Sequence, residues 1–291
     1  MELSPYIYPL LVALGWGVLF VLIKNATAPP VYGMGISLIG GCLFLLIPAL
    51  IWIVHNLDLK PDYTTWLMIT AIGILRYLLG TWCLYQSVRI GDVSVSTPVI
   101  GSKVILVSLL AVLIGLEKLN CFLLAAVLLA AAGFYCITFH IYGAAALHRK
   151  RLIKSILAAL GAMISWSFAD ILVKKIGHIQ PLMITFGSLS AALIAYYIVL
   201  LALQKGHEII NMNNVDKRRY FLHGILSFGG VYFLLNVSLA KVGIIRTNIV
   251  ISLWPVVASI VGYSYYKELL TPSKIIGAFL LVGSIMIVIL S

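Results

Sequence analysis

Charge is scarce in this sequence. Only 10% of its 291 residues are charged, with just 9 acidic side chains, whereas 62% are hydrophobic. A soluble domain carries about 25% charged residues, so one aqueous core cannot absorb this much apolar surface. Cysteine is equally thin. Cys42, Cys83, Cys121 and Cys136 stand alone within apolar runs, at spacings that fit neither a metal site nor a disulfide framework, and read as small buried apolar residues. No GxSxG and no phosphate-binding glycine loop occurs, and His55, His140, His148, His178 and His207 form no helical metal pair with a carboxylate. These gaps argue against an enzyme and against an ATP-driven pump, and no cofactor, metal or catalytic residue is expected. The start, MELSPYIYPL, lacks a basic n-region, so the first apolar run reads as a mature helix and not a cleaved signal.

What is abundant is apolar sequence in stretches near 20 residues, each long enough to cross a hydrocarbon core about 30 Å thick. Ten spans are expected, at 5–23, 32–54, 65–87, 93–114, 120–141, 154–175, 180–203, 219–240, 244–265 and 273–290. Short loops with breakers separate them, among them APP at 28–30, LKPD at 59–62, IGD at 90–92, KVG at 241–243 and LTP at 270–272. The fold class is therefore an all-α, multi-pass integral membrane protein, expected in the inner (plasma) membrane. Its 20 Lys and Arg could suggest nucleic acid, but HRKR at 148–151 and KRR at 217–219 sit in short loops as topology signals. Odd-numbered loops carry about twice the basic residues of the even-numbered ones, which hold Lys60, Lys118, Lys174, Lys175, Lys241 and Arg246. That bias places the odd loops in the cytoplasm and both termini outside.

The chain says much the same thing twice. Trp16 and Lys24 in WGVLFVLIK are matched by Trp166 and Lys174 in WSFADILVK. Gly91 after span 3 is matched by Gly243 after span 8, and Glu117 after span 4 by Glu268 after span 9. One ordered set of markers at nearly one offset implies a duplication, with repeats at 1–145 and 153–291 joined by a basic linker at 146–152. Five spans per repeat is odd, so the second copy must enter the membrane upside down. Such inverted repeats hold a substrate site near the midplane, and their rocking gives alternating access. Both halves lie in one chain, so oligomerisation is not required.

Two five-helix halves, the WG…F…K pattern of the first helix, and an apolar helix ending in E[KL]L before a helix rich in small residues resemble the drug/metabolite transporter superfamily, in particular its ten-helix EamA branch. The resemblance implies a carrier for small metabolites or drugs, without ATP hydrolysis, with a central cavity between the halves. One departure stands out. Where that pattern would put Ser-Pro in span 4, matching Trp254-Pro255 in span 9, this chain has Ser102-Lys103.

Ionisable groups inside spans are the sharpest signal, because each costs roughly 2.5–3.5 kcal/mol at a helix centre and so faces a partner or a wet cavity. Arg76, Lys103 and Asp170 qualify. Lys24, Lys174, Lys175, Lys241 and Arg246 lie near span ends, where they can reach the interface as anchors. Trp166, Asp170 and Lys174 share one helical face, as do Trp16, Phe20 and Lys24. Trp16 and Trp166 are cavity candidates or packing residues, as is Trp254. Asn236 and Asn248 are polar groups at membrane depth, suited to ligand contact or to interhelical hydrogen bonding. Glu117 and Glu268 read as structural, capping the N-terminus of the helix that follows or tying helix pairs together.

One central carboxylate facing two central cations leaves positive charge over. The reading this favours is a secondary-active carrier of a small anionic or zwitterionic metabolite: an amino acid, organic acid or phosphorylated compound. Two alternatives share the architecture. One is an exporter of drugs or organic cations received by Asp170, and the other a flippase for an anionic lipid intermediate. Asp170 is also a candidate for proton exchange during the cycle.

Overall fold

Inside a bilayer every backbone polar group must find a partner within the protein, which leaves helices as the economical solution for a single chain of apolar spans. The computed structural model describes residues 4–24, 26–56, 61–90, 99–138, 149–204, 206–266 and 271–290, and among them every regular element is helical. Gly91, Glu268 and the start of the basic linker at 146–148 lie outside the described residues.

The first repeat contains α1 (Ile7–Lys24), α2 (Pro30–His55), α3 (Tyr63–Gly73, Ile74–Gly80 and Thr81–Ile90), α4 (Lys103–Leu113) and α5 (Cys121–Thr138). The second contains α6 (Arg149–Lys175), α7 (Pro181–Ala202), α8 (Asn214–His223, Gly224–Val231 and Tyr232–Lys241), α9 (Ile244–Ile251, then Trp254–Tyr266) and α10 (Pro272–Leu290). Seven helices among the described residues are long and apolar enough to cross a membrane, and Ile7–Leu19, Val99–Leu113 and Cys121–Ile137 are shorter apolar helices. Leu113, Leu201 and Phe279 are among many large apolar side chains exposed on the outside of the bundle, a surface suited to lipid and not to water. The most apolar window of α10 is only 28% buried while that of α8 is 61% buried, which puts α8 at the centre and α10 at the rim.

The repeat is visible in its irregularities. Ile74–Gly80 in α3 and Gly224–Val231 in α8 are both π-helical, starting 150 residues apart. A turn at Ser102 precedes Lys103 in span 4, and a turn at Ser252 and Leu253 divides α9 at the same offset. Uniform hydrophobicity could not reproduce paired defects at one spacing. They are the internal duplication written in backbone geometry.

The repeats are tied together by carboxylates at both ends of the bundle. On the face bearing the termini, Glu117 between α4 and α5 accepts hydrogen bonds from the backbone N–H of Ile244 and, at 3.0 Å, of Ile245. It therefore caps α9 of the other repeat, where its charge complements the helix dipole. Gly243 is required there twice over: its φ is +98°, and a Cβ would stand 2.5 Å from the Glu117 Oε1. On the opposite face, the Asp216 carboxylate at the start of α8 accepts from the Thr27 and Ala28 backbone N–H groups at 3.0 and 2.9 Å and from the Thr27 hydroxyl at 2.8 Å. Asp62 caps α3 within its own repeat, accepting from the Thr65 N–H at 3.0 Å. Bonds from Thr64 and Thr65 hold its carboxyl low, at about 2.

A central charge network

Arg76 lies in the π-helical segment of α3, and the wider turn carries its side chain into the middle of the bundle. There its Nη2 donates to Asp170 Oδ1 at 2.9 Å and its Nη1 to Asn236 Oδ1 at 2.8 Å. Asn236 in turn donates to the Thr185 hydroxyl at 2.8 Å. Asp170 on α6 accepts from a second cation: Lys103 Nζ reaches its Oδ2 at 2.6 Å, and Asn248 Nδ2 lies 3.3 Å from the same oxygen. Six helices, α3, α4, α6, α7, α8 and α9, thus converge on one carboxylate and its partners.

The two cations are held differently. Arg76 and Asp170 are each 1% exposed, whereas Lys103 is 14% exposed. Arg76 is fixed from several sides: besides its two side-chain bonds, its guanidinium stands 5.3 Å from the Tyr232 ring centroid. Its carbonyl accepts from Trp166 Nε1 at 3.0 Å and from the Thr81 hydroxyl at 3.2 Å. Gly80 makes room for that indole, since a Cβ there would sit 2.3 Å from Trp166 Nε1. Lys103, by contrast, has three N–H donors and gives one to Asp170, with no other partner among the described residues. It follows the turn at Ser102 within the apolar helix Val99–Leu113. One carboxylate balances one of two cations, and the remaining positive charge is the more accessible at Lys103.

Of the residues singled out in the sequence, the structure brings Arg76, Lys103, Asp170, Asn236 and Asn248 into one hydrogen-bonded network and joins Trp166 to it through the Arg76 carbonyl. Trp16 lies one ring further out, edge-on to Tyr232 with centroids 5.5 Å apart. Trp254 is elsewhere, against Phe134 at 5.9 Å. Both asparagines make interhelical bonds, and Asn248 also bonds the Ile244 carbonyl in its own helix. Tyr232 and Thr185 were not singled out. Tyr232 stands four residues before Asn236 on the same helical face, a spacing that could have flagged it; Thr185 carried no signal. Asp216 was also missed, although Asn213 three residues earlier makes a capping pattern with it, the Asn213 side chain accepting from Asp216 N–H at 2.7 Å. Because Trp166 supports Arg76 by one bond to a carbonyl, Trp166→Phe should keep the ring packing and lose about 0.5–1.5 kcal/mol, read as a lower thermal midpoint of the purified protein.

Charged groups buried at membrane depth, broken helices at the same level in both halves, and an inverted five-helix duplication together define a membrane carrier fold. The chain matches the EamA-like transporter family twice, along residues 3–139 and again along 153–290, and belongs to that family. It is a membrane transporter of small solutes. It is also similar to a solved structure described as "Crystal structure of protein", with a TM-score of 0.80 over 100% of this chain and 99% of that one, at 14% identity, a level that speaks for the fold alone. No curated protein matches the chain.

Proposed function

We propose that this transporter moves a small metabolite bearing an anionic group, a carboxylate or phosphate, by secondary-active alternating access, and that Lys103 is its primary contact. The observation that supports the reading is the imbalance at the centre: Asp170 is shared by Arg76 and Lys103, and of the two cations only Lys103 combines unused donors with partial exposure. An incoming anion competes with Asp170 for Lys103. Asp170 then remains with Arg76 and Asn248, so no charge is stranded at any step. Exchange of partners at Lys103 acts on α4 beside the turn at Ser102, whose carbonyl accepts from the Ile105 and Leu106 N–H groups. Arg76 is the fixed counter-charge, held by Asn236, Tyr232 and Trp166.

The test is transport by the full chain in proteoliposomes, offered labelled succinate, glutamate and glycerol phosphate, with methyltriphenylphosphonium as the cationic alternative. Accumulation of an anion, lost in a folded Lys103→Met variant, is the expected result. Transport of the cation alone, abolished by Asp170→Asn, replaces this reading with a cation exporter.

A further inference from the structure

On the face bearing the termini, a cavity of about 370 Å³ opens among Glu117, Lys118, Asn120, Lys174, Lys241 and Arg246. Four of these six residues are cations and one is a carboxylate, and both Glu117 oxygens are already engaged by the N–H groups of α9. The cations are poorly satisfied by the protein. The Arg246 Nε is buried without a hydrogen-bond partner, and its guanidinium forms no ion pair among the described residues. Among the described residues Lys174 has one contact, 3.4 Å to the Leu239 carbonyl, and Lys241 donates to the Tyr8 hydroxyl at 3.3 Å with its ammonium 4.9 Å from that ring's centroid.

Anchoring at the lipid interface does not account for this arrangement. Anchors spread around a bundle and point to headgroups, whereas four of the six basic residues read on this cation-poor face converge on one concavity. Lys174 is also one helical turn from Asp170 on α6, about 6 Å along the helix axis. Through Lys174 the cavity wall lies about one helical turn from the central network.

We propose that this cavity is an anion-binding vestibule, a second site that receives the carboxylate or phosphate group of the solute on its way to or from Lys103. Arg246 supplies a planar fork and Lys174 and Lys241 point charges. The proposal extends the anionic-solute reading but stands on different residues, so the two can fail separately.

The experiment uses the purified full-length chain, titrated with sodium phosphate and separately with sodium succinate, at ionic strength fixed with sodium chloride and with thermal stabilisation as the readout. Arg246→Gln and Lys241→Gln should each weaken apparent affinity for the stabilising anion by about tenfold, and Arg246→Lys should retain most of it. Arg246→Gln removes a group that makes no hydrogen bond or ion pair among the described residues, so its thermal midpoint without anion should match the wild type. The weakening should persist in a Lys103→Met background, where binding left after loss of the central contact belongs to the vestibule. Phosphate without succinate, or the reverse, assigns the oxyanion. Titrations of Arg246→Gln and Lys241→Gln that superimpose on the wild type overturn the vestibule, as does equal stabilisation by sodium chloride. If Lys103→Met abolishes binding and Arg246→Gln spares it, the central site stands and the vestibule falls; the opposite pattern sinks the central site and leaves the vestibule.

Discussion

Asp170→Ala should destabilise the protein by about 3–5 kcal/mol, because it leaves two buried cations without their counter-charge. The loss comes from the survivors. Arg76 is 1% exposed and cannot swing to water, and Lys103 loses its sole charge partner among the described residues. Asn248 and Asn236 remain, but amide groups do not neutralise a guanidinium. A variant neutral at all three positions, Arg76→Met with Lys103→Met and Asp170→Asn, should unfold closer to the wild-type temperature than the single alanine variant, while transporting nothing. Thermal unfolding of the three proteins in the same detergent decides between charge and packing. If the neutral triple variant is as unstable as Asp170→Ala, the network holds the bundle by shape and not by electrostatic balance.

The second large effect is steric. Gly224 begins the π-helical segment of α8 where it crosses α2, and a Cβ there would stand 2.1 Å from the Ser37 carbonyl oxygen and 2.6 Å from the Ser37 Cα. Those are backbone atoms of a long helix and cannot step aside as a flexible side chain would. The same crossing is pinned by Ser37, whose hydroxyl donates to the Tyr220 carbonyl at 2.8 Å. Gly224→Ala should therefore separate α2 from α8 and cost at least about 1–3 kcal/mol, read as a lowered thermal midpoint and less folded protein on size exclusion. Gly230→Ala is the control in the same segment: its nearest neighbour would be the Ile225 carbonyl oxygen at an ordinary 3.7 Å, so it should behave as wild type. Equal tolerance of both substitutions would mean that the two helices do not meet this closely.

Much of the fold was legible because the membrane simplifies the chemistry. Apolar runs of fixed length gave the spans, and Trp16 with Trp166, or Glu117 with its later counterpart, exposed the duplication. Arg76, Lys103 and Asp170 were conspicuous as charges where charge is expensive. Their pairing was another matter. Arg76 and Asp170 are 94 positions apart, and no local pattern states that both cations meet the same carboxylate. The π-helical segments were hidden for a related reason: ILRYLLG and GILSFGGV satisfy an ordinary helical reading, and only packing selects the wider turn. Glu117 was read as a cap of the helix that follows it or as a tie; it caps α9 of the other repeat instead, while Asn120 accepts from the Leu123 N–H at the start of α5. Lys174, Lys241 and Arg246 show the limit of reasoning by depth alone. Position near a span end suggested anchors, while the structure gathers them around a cavity.

The unequal count of charges at the centre also has an electrical meaning. With Arg76 and Lys103 against Asp170, the unloaded core carries one net positive charge, and the monoanion proposed above would bring it to zero. Any displacement of the loaded core through the membrane field would then be free of electrical work, whereas the unloaded core would work with or against a potential worth about 2.3 kcal/mol per elementary charge per 100 mV. Voltage would act on the return of the empty carrier and leave the loaded crossing untouched, so the membrane potential would set the turnover of the cycle more than the affinity for its solute.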